Sequence, residues 1–323
     1  VFVLTSDITI GGYKKIKPHE VKIQKSLFSY VDRATVKVPS TARLKQAGTI
    51  VTMSTDTAKL IKEGDEVRID LGYNGSLKNE FIGFVSRVNF TTPVEIECEG
   101  YSYQLRKKQY LKRFKNTTLK ELLAHLVEGT DITLSPLIPE LKIAKWTMHS
   151  QSGTEVLEDM KKHLLVDFFF TGKELYGGLR LLKHKADVKY RLGWNVIKDG
   201  NLKLREAKNQ QVIIHIVGEK ADGTKVTGKA GQNGEVKKIK NANVTDQATL
   251  NAMAAKQQNK LSYDGYEGRI TAFLQPYCEP GYRAVLQDRK YPERSGNYVV
   301  ESIEVTYGTS GARRIVGIGE KLS

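Results

Sequence analysis

At 323 residues the chain exceeds what one hydrophobic core usually serves, so two or more domains are expected, and 40% hydrophobic residues with only eight prolines exclude a disordered or fibrous protein. The net charge of +15 suits nucleic acid, an anionic surface or an acidic protein as partner, but it speaks to association rather than to fold. Cys98 and Cys278 are the only cysteines, which excludes a disulfide framework or a cysteine-rich zinc site, and no apolar run approaches the roughly 18 residues of a membrane span.

The opening VFVLTSDITI lacks the basic lead and long apolar core of an export signal, so synthesis in a reducing cytoplasm is expected. Alternating, β-branched runs then predict six strands, at 20–30, 34–40, 49–55, 65–73, 80–90 and 94–101. Tyr73-Asn74-Gly75-Ser76 reads as a tight hairpin, because Asn-Gly supplies positive φ angles. Such short, evenly spaced strands predict a small barrel or sandwich. The pattern changes to helix at 116–131, where Thr118 and Glu121 have capping-box spacing, and again at 152–165, where Ser152 and Glu155 repeat it. Strands are predicted at 166–170 and 177–184. β character returns from about 186, with 212–240 expected to belong to the same barrel, and a last helix is predicted near 245–261, capped by Thr245 or Asp246.

EGDEVRIDLGY, from residue 63, is echoed by EPGYRAVLQDRKY, from residue 279. Gly64 aligns with Gly281 and Phe81 with Tyr298, both at an offset of 217, which predicts a duplicated domain with other material between the copies. The fold expected is therefore α+β and β-rich: two similar small antiparallel β-barrel domains in tandem, with a small α/β insert and a second helix-containing insert. The boundaries expected are 1–105 for the first barrel, 106–185 for the α/β domain, 186–240 plus 262–323 for the second barrel, and 241–261 for the helical insert.

The run EGDEVRIDLGYNGSLKNEFIGFVSRVNFTTPVEIECEGYSYQLRKK resembles the first barrel of the late-control-D-like baseplate hub proteins of contractile-tailed phages, which are related to the hub of type VI secretion spikes. RLGWNVIKDGNLKLREAKNQ and GNYVVESIEVTY resemble the second barrel of that family. The resemblance implies a non-enzymatic homotrimer without cofactor, whose two barrels per subunit alternate around a pseudo-sixfold ring. In that arrangement the first barrel meets the second barrel of a neighbour, and the 106–184 insert lies on the periphery. It implies a spike protein on one face, a tail tube or tube-initiator protein on the other, and a tape-measure protein or transiting DNA in the lumen. It also implies synthesis in a bacterial host and assembly into a virion baseplate or injection particle. Because the sequence ends at Ser323, where the second barrel is complete, the spike is expected to be a separate protein.

The enzymatic motifs are weaker. GTKVTGKA, residues 223–230, nearly matches a phosphate-binding loop, but Ala230 lacks the magnesium-binding hydroxyl and no helical pattern follows. The six histidines, His19, His125, His149, His163, His184 and His215, show no ligand spacing, and no G-x-S-x-G context occurs. Asp65 with Asp70, or Glu95, Glu97 and Glu99, alternate along strands as a solvated sheet face does. No catalytic, cofactor or metal residue is assigned.

The strongest charge feature is Arg106, Lys107, Lys108, Lys112, Arg113, Lys115 and Lys120, without an acidic residue between Gly100 and Lys120 and with Tyr101, Tyr103, Tyr110 and Phe114 interleaved. A linker and first helical turn anchored by its aromatics is the preferred reading. The alternative function is a basic β-barrel that binds nucleic acid through backbone neutralisation and base stacking.

Overall fold

A computed structural model describes residues 2–46, 49–179, 186–219, 223–241 and 243–322. The first β-domain contains β1 (Leu4–Ile10), β2 (Glu20–Ser26), β3 (Ser29–Val38), β6 (Glu66–Tyr73), β7 (Ser76–Asn89) and β8 (Val94–Glu99). Between β3 and β6 lie a separate hairpin, β4 (Thr41–Gln46) and β5 (Thr49–Asp56), and the short helix α1 (Thr57–Leu60). The expected strand at 49–55 thus forms, but outside the domain's sheet, and the uncounted β1 takes a place in it. Strand periodicity is explicit in β6: Val67, Ile69 and Leu71 are buried while Glu66 and Arg68 face water. Asn74 and Gly75, at φ 51° and 82°, close β6 onto β7. Hydrogen bonding orders the domain as β1-β6-β7-β8-β3-β2.

After α2 (Ser102–Lys107) the chain enters an α/β wing built from β9 (Gln109–Thr118), α3 (Leu119–Val127), β10 (Thr133–Leu134), β11 (Lys142–Ser152), α4 (Gly153–Leu164), β12 (Asp167–Thr171) and β13 (Glu174–Gly178). Both capping boxes are present, Thr118 with Glu121 and Ser152 with Glu155, and they fix where α3 and α4 start. The strand expected at 177–184 begins earlier, and residues 180–184 of it lie outside the described residues. Leu122, Leu123, Val156, Leu157, Phe168 and Phe170 fill the wing's core.

The second β-domain opens with β14 (Asp187–Arg191), β15 (Val196–Lys198) and β16 (Lys203–Arg205). The chain then leaves it for β17 (Val212–Glu219), β18 (Lys225–Ala230), β19 (Glu235–Lys240) and α5 (Gln247–Leu261), which Asp246 caps. This corrects the expected boundary. Residues 212–240 form their own sheet, ordered β18-β17-β19, and Ile214, Ile216, Leu250 and Met253 of this insert join the wing's core. Their alternation specifies a strand but not the sheet that receives it. β20 (Gly265–Ala272), β21 (Arg283–Gln287), β22 (Gly296–Gly308) and β23 (Gly311–Leu322) complete the domain.

Counted outward from the central hairpin, the second domain repeats the first. β14-β21-β22-β23-β20, with β15 and β16 sharing the last place, follow the order of β1-β6-β7-β8-β3-β2. The two are tandem β-domains fused edge to edge. β2 pairs antiparallel with β22 from Glu20 opposite Gly308 to Ser26 opposite Ser302, giving one 13-stranded sheet over one shared apolar core.

Candidate functional site

The seam between the two β-domains holds a cluster of buried charged residues. Gly64 and Gly281 hold φ of 91° and 87°, and each leads its domain's hairpin into the sheet. Gly64 donates to Val85 and Val85 to Asp65; Gly281 donates to Val300 and Val300 to Tyr282. Immediately afterwards both long strands bulge, skipping one residue between Val85 and Arg87 and between Val300 and Ser302. Turn and bulge together match Val85 to Val300, an offset of 215. The ungapped alignment of Phe81 with Tyr298 is therefore two residues out, and Tyr298 stands where the first domain has Gly83. The first hairpin is two residues longer between matched pairs, and one of the two is Glu80, the extra residue of a bulge where Ile69 pairs with Phe81 but Asp70 with Asn79.

Glu80 is not idle. Its carboxylate lies 2.6 Å from the guanidinium of Arg314, which is 0% exposed, and Glu80 itself is 1% exposed. Arg314 also donates to the carbonyls of Leu274 and Cys278 and lies against the Tyr277 ring. Beside this pair Lys25 of β2 donates to both oxygens of Glu279, at 2.9 and 3.1 Å, and Tyr277 donates to Glu279 as well. Each ion pair joins a residue of the first domain to one of the second. Burial pulls the Lys25 ammonium down, but Glu279 and Asp32 outweigh it and the net shift is upward. Burial pushes Glu80 up, only partly offset by Arg314. Asp32, buried beside Lys25 with Oδ1 unpartnered, is raised to about 7, burial exceeding the attraction of Lys25. Gln24 donates to Glu304 at 2.9 Å where the seam meets solvent.

This cluster ties the two β-domains together. Its two ion pairs lie away from water, and burial pushes the thiols of Cys98 and Cys278 upward, the latter to about 11. The carboxylates weighed for catalysis have structural roles: Asp70 accepts from Arg68 and Asn79, Glu95 and Glu97 accept from Asn89, and Glu99 binds Arg106 and Ser102. Asp65 accepts from the Lys62 amide. Residues 225–230 of the near phosphate loop are β18, a strand rather than a loop followed by a helix. Among the described residues no three His, Cys, Asp or Glu side chains are grouped to hold a metal ion, and His184 lies outside them.

The basic segment is divided by the structure. Arg106 pairs with Glu99 at 2.7 Å, Lys107 with Glu63 at 2.7 Å, and Lys108 donates to the Glu128 carbonyl. What was expected as linker and helical turn is α2 followed by β9, an arm of a two-stranded ribbon with β11. β11 escaped the sequence reading altogether. Its outward face presents Arg113 and Lys115 of β9 and Lys145 of β11, which among the described residues make no ion pair. Lys115 stands directly opposite Lys145, an arrangement that destabilises a ribbon. The interleaved aromatics are engaged elsewhere: Tyr101 and Tyr103 pack on Phe84, Tyr110 is buried, and Phe114 packs against His125 and lies under the Lys112 ammonium.

No protein-family model matches the chain, and no curated protein matches its sequence. Solved structures do. A tail protein from Neisseria meningitidis MC58 superposes with a TM-score of 0.70 at 10% identity, over 98% of this chain and 96% of that one. The 43 kDa tail protein of prophage MuSo2 from Shewanella oneidensis gives 0.67 at 14% identity, over 98% of both chains. The chain has the fold of phage tail proteins. A component of the Escherichia coli type VI secretion system, described as structurally similar to bacteriophage T4 tail proteins, gives 0.60 at 8% identity over 98% of this chain and 77% of that one. The tail-protein fold accounts for the tandem β-domains, and the hub resemblance drawn from the quoted motifs agrees with it in architecture.

Proposed function

We propose that this chain is a structural hub protein of a contractile phage tail or related injection system, forming a homotrimeric ring that joins a tail tube to a spike. One observation carries the reading: a single chain builds the same six-position sheet twice, with the same glycine turn and the same bulge, and fuses the copies edge to edge. Three such chains present six near-equivalent domains, which reconciles a sixfold tube with a threefold spike. The tail and type VI proteins of similar fold support this assignment. The buried salt bridges suit a permanent scaffold, and the reading requires no catalysis and no cofactor. Light scattering, alone and with the cognate spike protein, should reveal three chains of 36.2 kDa, roughly 109 kDa in total. A stable dimer under both conditions would reject the trimeric ring.

The outward Arg113, Lys115 and Lys145 keep a nucleic-acid reading in play as a competitor. Single-strand binding would also need aromatic faces free to stack on bases, and those of this segment are occupied. Weak DNA retention is expected at physiological salt, changing little in a triple Arg113→Gln, Lys115→Gln, Lys145→Gln variant. Tight, steeply salt-dependent retention lost in that variant would favour the competitor.

A further inference from the structure

The seam within one chain specifies a second contact that the chain alone leaves unmade. The bulges match Arg87, Val88 and Asn89 of β7 to Ser302, Ile303 and Glu304 of β22. Both triplets are bonded on one side, by β8 and by β23. On the other side Ser302, Ile303 and Glu304 are taken by Ser26, Lys25 and Gln24 of β2. β6 leaves β7 at Phe84, so among the described residues no strand covers that edge of Arg87–Asn89.

The strand that could cover it has a counterpart in the second domain. Ala34 of β3 faces Cys98, and Gly268 of β20 faces Ile318; Cys98 and Ile318 face the matched Val85 and Val300. Ala34 therefore matches Gly268, and at the next step, where β20 bulges between Gly265 and Gly268, Lys203 on Glu267 takes the place of Gln24 on Arg33. Leu204 then occupies the place of Lys25. β22 covers Lys25, which is 7% exposed, whereas Leu204 is 61% exposed on a strand that, among the described residues, is bonded only to β20. Trp194 and Ile197 are also exposed beside this edge, and Phe90 is exposed at the end of the vacant β7 edge.

We propose that β16 of one copy adds antiparallel to Arg87–Asn89 of the next copy, with Leu204 opposite Val88, repeating between chains the seam that β2 and β22 make within one. The contact is heterologous, so it propagates from copy to copy until the ring closes. It rests on the hub reading and adds to it a strand, a register and a residue pair.

Opposed Cα atoms in an antiparallel ladder lie within disulfide reach. Full-length Leu204→Cys and Val88→Cys chains, purified separately and mixed under mild oxidation with and without the spike protein, should give an interchain disulfide. The double variant should give a covalent ladder ending at three chains. The native thiols are buried and should not compete. Leu204→Cys mixed with Phe28→Cys, an exposed position eight residues from the Val36 that lies in register with Val88, should remain uncrosslinked. A trimer by scattering without the Val88–Leu204 crosslink would overturn the strand pairing and leave the hub standing. Absence of both trimer and crosslink would remove the two readings together.

Discussion

The two β-domains agree in their centres and differ at their margins. Glycine turn, bulge and the order of six strand positions are common to both. At the margins, β2 leads into β3 through a tight hairpin, whereas β15 and β16 are separated from β20 by the whole β17–β19 and α5 insert. The outer strands even differ in direction, β1 lying antiparallel to β6 and β14 parallel to β21. What the pair teaches is that sheet position is preserved where it sets curvature and register. Chain direction and loop length are free wherever a strand only needs to cover an edge.

The comparison breaks most sharply at the ion pair that straddles it. Arg314→Met should cost about 3–5 kcal/mol, because it leaves Glu80 buried without its partner. The double variant with Glu80→Leu should recover much of that loss. Urea denaturation followed by several probes should show one transition in wild type; two well-separated transitions would mean that the domains fold independently.

A smaller effect should come from Asp32, on the first domain's side of the seam. Asp32 is raised by burial from 3.8 to about 7, so the folded state holds a proton that the unfolded chain has already released between those values. Its contribution is therefore fully present below about pH 4 and is lost as pH rises towards 7, by at most on the order of 4 kcal/mol. Asp32→Asn should flatten that decline and gain on wild type as pH rises; equal slopes of unfolding free energy against pH would discount the carboxyl.

Smallest and most diagnostic is the shared turn. Gly64→Val and Gly281→Val should each cost roughly 1–2 kcal/mol, since both φ angles are positive and a β-branched residue resists them. Clearly unequal losses would show that only one domain depends on the motif.

Local chemistry was legible in the sequence and distant pairing was not. Asn74-Gly75 and the two capping boxes depend on residues a few positions apart, and each lies where its spacing placed it. β17 to β19 were legible as strands but not as a separate sheet, because the partner of an alternating strand is not written in its own alternation. KIAKWTMHSQS formed β11 unannounced, its apolar positions too few to stand out. The seam was invisible for a stronger reason: Arg314 and Lys25 look like surface residues until partners 234 and 254 positions away bury them. The aromatic match of Phe81 with Tyr298 misled by two residues, because the first hairpin is two residues longer between its matched pairs, and Glu80, one of the two, is conspicuous only through Arg314.

The seam also constrains how the chain is made. Gln24 and its seam partner Glu304 are 280 residues apart, so at about 5–20 residues per second a ribosome delivers β2 roughly 14–56 s before β22. Throughout that interval β2 is a nascent strand with an open edge, inviting mispairing with other emerging strands. Lys22 and Lys25 lie on that strand, and lysines on an open edge repel such partners. When Glu304 and Glu279 emerge, the charges that guarded the waiting edge become the ones that receive its proper neighbour.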